Sequence, residues 1–185
     1  MNVVPTTLPE VLSIRPRLHP DARGFFKETW RADRYAAFGI PDRFVQDNLS
    51  RSNRGTLRGL HFQEPKAQGK LVSVLSGCVF DVVVDVRRGS PCFGRWAGVV
   101  LNAEDHGQLW IPPGFAHGFC VLSETADFFY KCTEFYDPAC ERSVRWDDPD
   151  IGIAWPIEAP LLSEADAVAP QLSAVRSLPA YGLPS

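Results

Sequence analysis

Proline and glycine punctuate this chain throughout: 16 prolines and 14 glycines are spread over 185 residues. Proline has no amide to give to a ladder and glycine favours turns, so the segments between them are short. Short segments bounded by turn residues suit a many-stranded β fold. The alternation within residues 79–86 agrees. Phe80, Val82, Val84 and Val86 share one face, and Asp81, Val83 and Asp85 share the other. That pattern predicts one apolar face on a core and one polar face. Residues 71–75 form another strand run across a Ser76-Gly77 turn, and residues 96–101, 108–111, 118–122 and 126–135 continue the series. Residues 21–24 read as a turn, followed by a strand to about Trp30. Residues 31–38 read as a short helix ended by Gly39 and Pro41. The spacing predicts an all-β sandwich or barrel with short peripheral helices, not a parallel sheet with crossovers.

The chain reads as one domain over residues 1–185, with an extension from about residue 147 too short for its own core. Ser163 to Asp166 opens a short helix that Pro170 stops, and residues 170–185 read as extended or mobile. Hydrophobic residues at 45% and charged residues at 22% allow a core without disulfides or metal. A net charge of −3 argues against bulk nucleic-acid binding. Charges interrupt every apolar stretch well before the ~18 residues a membrane helix needs. The first residues lack a basic start and an apolar run, so no signal peptide is expected and the cytoplasm is the default. Five cysteines, none in a C-x-x-C pair, read as free thiols acting as small hydrophobes. Cys132 follows Lys131, but neighbours on a strand point to opposite faces, which argues against a nucleophile there.

The four histidines are His19, His61, His106 and His117. A metal centre wants two or three converging histidines with a carboxylate. Pro112-x-Gly114-x-x-His117 resembles the second half of a metal-binding cupin pattern, but the first half is missing, so no metal is expected. His61 lies in Leu57-Arg58-Gly59-Leu60-His61-Phe62-Gln63, nine residues before Lys70. A regular strand would turn Arg58 and His61 opposite ways, and a bulge at Gly59 would bring both to one cavity. Histidine takes a proton near neutral pH, and a nearby lysine or arginine holds the resulting negative charge. Those are the two parts that proton abstraction beside a carbonyl requires. Plainer roles compete. His61 could be a core histidine on a carbonyl, Lys70 a solvated strand end and Tyr130 a buried tyrosine with one hydrogen bond. Asp166 could be the return arm of a Ser163-x-x-Asp166 capping box, Asp81 a solvent-face residue and Arg23 a turn decoration.

Ten short segments, in order from Asp21 to Asp166, together resemble one family. They are Asp21-x-Arg23-Gly24-Phe25-Phe26, Gln46-Asp47-Asn48, the segment from Leu57 to Gln63, Gln68-Gly69-Lys70 and the run from Val79 to Asp85. They continue with Gly89-Ser90-Pro91-x-Phe93-Gly94, the run from Ile111 to Phe119, Tyr130-Lys131, Trp146-x-Asp148-Pro149 and Leu162-Ser163-x-x-Asp166. The pattern resembles the dTDP-4-dehydrorhamnose 3,5-epimerases. Leu49 stands where many relatives carry histidine, and Phe135 where a tyrosine is common.

The resemblance implies a cupin-type jelly roll that uses no metal or cofactor. It also implies a homodimer whose N-terminal strand region reaches the partner's site. The substrate would be a dTDP-4-keto sugar, whose C4 carbonyl acidifies the hydrogens at C3 and C5. His61 would be the base, Asp166 would hydrogen-bond its ring, Lys70 would hold the enolate oxygen and Tyr130 would be the acid on the far face. Arg23 and Arg58 would meet the diphosphate. Glu28, Gln46 and Asn48 would bind nucleotide and sugar, with Phe26 against the thymine. His117 and Asp81 would complete the sugar pocket. The alternatives are a mono-epimerase of another deoxysugar route, a non-catalytic sugar-nucleotide binder and a metal-dependent cupin.

Overall fold

The computed structural model describes residues 1–41 and 43–182. Numbered in chain order, β1 (Asn2–Pro5), β2 (Leu12–Arg15), β10 (Gln108–Ile111), β7 (Lys70–Ser76), β12 (Thr125–Cys132) and β5 (Gln46–Asn53) form a six-stranded sheet in that order. A five-stranded sheet runs β13 (Glu141–Ser143), β6 (Leu57–Gln63), β11 (Phe115–Val121), β8 (Cys78–Asp85), β9 (Trp96–Asn102). β3 (Leu18–Asp21) and β4 (Gly24–Lys27) make a separate hairpin. The ladders are antiparallel. Two short helices, α1 (Ala32–Ala36) and α2 (Glu164–Ala167), lie outside the sheets.

The two large sheets pack face to face as a jelly roll. Val72, Val74, Leu109, Ile111 and Phe128 of one meet Val79, Val83, Leu101, Phe119 and Val121 of the other. Alternation made β8 legible as a strand and short apolar runs marked β7 and β12, but β7 and β8 do not pair with each other. Gly77 (φ +80°) carries the chain from one sheet to the opposite one, and a Cβ there would collide with the Thr125 carbonyl.

The polar face expected on β8 is not a solvent face. Asp81 and Asp85 are fully buried, as are Val82 and Val83 on opposite sides of the strand. The reason is a second apolar layer. Val82, Val84 and Val86 pack outward against Ile151, Leu172 and Leu178 of the C-terminal extension. The face bearing Asp81 therefore points into the sandwich. Burying one such valine or leucine is worth about 1.5–3 kcal/mol, so the extension contributes to the core.

The segment from Pro170, expected to be extended or mobile, is held against the sandwich through Tyr181. The Leu172 amide donates to the buried Asp148 Oδ2 at 2.7 Å. The Arg88 amide donates to the Pro179 carbonyl at 2.8 Å. Residues 183–185, also covered by that expectation, lie outside the described residues. The strand expected to reach Trp30 stops at Lys27. Beyond it the Thr29 carbonyl turns inward, accepting from Gln108 Nε2 at 2.9 Å and Tyr35 Oη at 3.2 Å, and Trp30 packs on the Tyr35 ring. No described helix is long and apolar enough to cross a membrane.

Candidate active site

One end of the sandwich opens into a cavity with two lobes, about 460 Å³ and about 280 Å³, that share His61, Lys70 and Tyr130. β6 and β11 of the five-stranded sheet wall one side. β5, β7 and β12 of the six-stranded sheet wall the other. His61 and Tyr130 thus stand on facing sheets.

A bulge brings Arg58 and His61 together. His61 lies opposite His117 and Arg58 opposite Phe119, so three steps along β6 match two along β11. The extra residue falls at Gly59, as the sequence suggested. Gly59 has φ +123°, and a Cβ there would meet Gly118 Cα at 2.6 Å. Only glycine fits, and both flanking polar side chains line the larger lobe.

His61 Nε2 donates to Asp166 Oδ1 at 2.6 Å. With Nε2 committed, Nδ1 is the nitrogen with a free lone pair. Asp166 is buried. Burial works to raise its pKa, but the His61 bond and charge, the Ser163 hydroxyl and the Gly59 amide outweigh it and hold the carboxyl below its ordinary value. The capping alternative is half met. Ser163 Oγ accepts the Asp166 amide at 3.1 Å, while the carboxylate turns to His61 instead of back to the cap.

Lys70 opens β7, and among the described residues no hydrogen bond or ion pair engages its ammonium. Burial lowers its pKa, against the pull of Cys132, Glu141 and Asp81. A half-buried, unpartnered cation is suited to an anionic oxygen. Tyr130 sits mid-strand on the inner face of β12. Burial raises its phenol above the ordinary value, with Arg58 opposing, so it carries a proton at neutral pH. Arg58 Nε donates to Ser52 Oγ at 3.0 Å. A guanidinium fixed by one edge keeps its other donors for phosphate oxygens.

His117 Nε2 donates to the buried Asp81 at 2.9 Å, and its ring stacks on Phe128 at 5.8 Å. His117 lines the larger lobe, whereas Asp81 lines neither lobe and holds His117 from behind. Burial raises the Asp81 carboxyl, with His117 and Lys70 opposing. Gln46 and Asn48 line the smaller lobe, joined by a 3.0 Å bond from Gln46 Nε2 to Asn48 Oδ1.

Besides Asp81, three expected site residues stay outside both lobes in the single chain. Arg23 pairs with Asp21 at 2.6 Å at the hairpin tip, Phe26 is 69% exposed, and Glu28 accepts from Arg34 at 3.0 Å. Conversely, Tyr136 and Glu141 line the smaller lobe without having been expected there, joined by a 2.9 Å bond from Tyr136 Oη. Gln63 seats that loop, donating to the Phe135 carbonyl at 3.2 Å and accepting the Asp137 amide at 2.8 Å. A tyrosine in a loop and a glutamate on an edge strand carry no periodic signal. Ser50 and Ser163, in the larger lobe, were missed as lining residues for the same reason. Among the described residues no three His, Cys, Asp or Glu side chains converge as a metal site requires.

The model of the dTDP-4-dehydrorhamnose 3,5-epimerase family matches residues 5–174. The chain belongs to that family. A dTDP-4-dehydrorhamnose 3,5-epimerase of Neisseria gonorrhoeae is 54% identical over 168 residues, 90% of this chain. The chain spans about half of that relative's length, 51%. The crystal structure of a dTDP-6-deoxy-D-glucose-3,5-epimerase from Legionella pneumophila Philadelphia 1, in complex with dTDP-4-keto-L-rhamnose, superposes with a TM-score of 0.95 at 53% identity, covering 98% of this chain and 99% of that one. A 3'-monoepimerase from Streptomyces bikiniensis in complex with dTDP-quinovose gives 0.90 at 40% identity, covering 96% and 93%. Membership makes the chain an isomerase-class sugar epimerase, and the family's jelly roll is the fold described above.

Proposed function

We propose that the chain epimerises dTDP-4-dehydro-6-deoxy-D-glucose at C3 and C5 to dTDP-4-dehydro-L-rhamnose, in dTDP-L-rhamnose biosynthesis. The observation that carries this reading is the placement of His61 and Tyr130 on opposite sheets of one cavity, with Lys70 shared by both lobes. His61 Nδ1 takes the proton from the carbon beside the C4 ketone. The electron pair moves to the C4 oxygen, and the Lys70 ammonium holds the enolate. The Tyr130 phenol returns a proton to the other face of the same carbon, and its configuration inverts. Asp166 stabilises the imidazolium. The step as written uses side chains alone. Arg58 meets the diphosphate, while Gln46 and Asn48 meet the nucleotide and sugar.

Arg23, Phe26 and Glu28 join the site in a homodimer, where the exposed β3–β4 hairpin of one protomer closes its partner's cavity. The protein works in the cytoplasm on a soluble sugar nucleotide, with no nucleic-acid or membrane partner. A second reading, inversion at one carbon only, is favoured by the likeness to the Streptomyces bikiniensis 3'-monoepimerase. Proton NMR of the product mixture from dTDP-4-dehydro-6-deoxy-D-glucose separates the two. Inversion at both carbons is expected, and product inverted at one carbon alone would replace the first reading with the second.

A further inference from the structure

Asp166, which orients the proposed base, sits in a helix that has little stability of its own. α2 is four residues long, and Asp166 is its buried residue. One turn of helix does not persist without outside support. The residues just before it supply part of that support. Leu161 donates its amide to the Gly55 carbonyl at 2.8 Å and accepts from the Leu57 amide at 3.0 Å, which lays the chain along the start of β6. Ser163 supplies the rest. Its Oγ accepts the Asp166 amide at 3.1 Å, which fixes the backbone from which the carboxylate projects. In an ordinary capping box the acid folds back onto the cap amide. Here the carboxylate goes to His61 Nε2 at 2.6 Å, so the cap hydroxyl and the acid form a chain ending on the imidazole. Ser163, Asp166 and His61 all line the larger lobe.

We propose that Ser163 is a positioning residue whose hydroxyl aims the Asp166 carboxylate at His61 and thereby sets how readily Nδ1 takes a proton. The inference rests on the base assigned to His61 above. It distinguishes a positioning hydroxyl from a plain helix cap, because glycine replaces a capping serine at a cost of only a few tenths of a kcal/mol. Ser163→Gly therefore keeps the helix start and removes the hydroxyl, and Ser163→Thr keeps both.

The test is a pH profile of epimerase activity for the full chain and these two variants, with the His61 ring titrated by NMR in each. Ser163→Gly is expected to lower kcat about 10-fold or more, since misplaced groups lose rate steeply, while KM changes little. A loosely held carboxylate stabilises imidazolium less, so the His61 titration and the acid limb of kcat/KM move to lower pH. Ser163→Thr restores both. An unshifted His61 titration in Ser163→Gly, or a loss that Ser163→Thr shares in full, overturns the positioning role. The titration reads the effect without turnover. His61→Ala keeps the two failures apart. If it retains turnover, the base assignment fails; if it is inactive while Ser163→Gly titrates as the parent does, only the role of Ser163 fails.

Discussion

At the residue scale, the cavity sets three ionisable groups against their ordinary behaviour, and each shift has a consequence. The Asp166 carboxyl is held below its ordinary value. A depressed carboxyl stabilises the fold above its unfolded pKa, and that stability is lost as pH falls through the lowered folded value. Asp166→Asn should therefore be less stable than the parent by about 1.5–3 kcal/mol at pH 7, the range for a hydrogen bond to a charged group. In urea titrations the gap should close as the pH is lowered through the acid range. A gap that stays constant from neutral to acid pH would show that its origin is not the ionised carboxylate. Lys70 is the opposite case. Burial lowers its pKa, so the unfolded chain binds that proton more tightly and stability rises with pH between the lowered value and the ordinary one. Lys70→Met should abolish turnover yet raise the melting temperature, by about 2–4 °C for each kcal/mol relieved in a chain of this size. A fall in melting temperature would mean that the ammonium is satisfied in the resting fold. Tyr130, whose phenol burial keeps protonated, should behave differently from His61. Tyr130→Phe is expected to spare solvent exchange at the sugar more than it spares product, and equal loss of both would remove it as the acid.

At the element scale, the decisive feature is the bulge in β6. Gly59→Ala puts a Cβ 2.6 Å from Gly118 Cα and 2.7 Å from the His117 carbonyl, at φ +123°. Neither neighbour is a flexible side chain, so β6 and β11 must separate. A loss of more than about 2 kcal/mol in chemical denaturation is expected, with activity lost in what still folds. Denaturation like the parent's would mean that the bulge tolerates a side chain. This bulge was readable because a glycine lay between two polar residues of the wrong parity. β8 was readable from apolar alternation, and β7 and β12 from short apolar runs between turns. β5 was not, and the reason is functional. Its inward residues, Asn48, Ser50 and Ser52, face the cavity or hold Arg58 instead of packing in the core, so no apolar period marks the strand. The same cause misdirected the reading of Asp81. A polar face normally means water, whereas here it means the interior beside a polar cavity, with the extension covering the strand's other side. The proposed catalytic set could be named because His61, Lys70, Tyr130 and Asp166 sit in recognisable motifs. Tyr136 and Glu141 reach the cavity through a loop and an edge strand that no motif marks.

At the scale of the whole molecule, the single chain provides both walls of the cavity but leaves the β3–β4 hairpin exposed, with Phe25 at 56% and Phe26 at 69%. In the proposed homodimer each site takes Arg23, Phe26 and Glu28 from the other protomer. Mixing inactive His61→Ala chains with impaired Arg23→Ala chains should then regain activity. A hybrid dimer rebuilds one intact site of two, and random pairing of two chain types gives about a quarter of the parental rate. No recovery on mixing, with exchange of chains verified, would place Arg23 in its own protomer's site or in none. The proposed inversion requires proton removal beside the C4 ketone by His61 and return of a proton on the opposite face by Tyr130. Incubation with dTDP-4-dehydro-6-deoxy-D-glucose in D2O, read by NMR, tests this most directly. Deuterium is expected at both C3 and C5, with exchange slowed about 10²–10⁴-fold in His61→Ala, the usual contribution of a positioned base. Conversion with both original hydrogens retained, or exchange undiminished in His61→Ala, would contradict it.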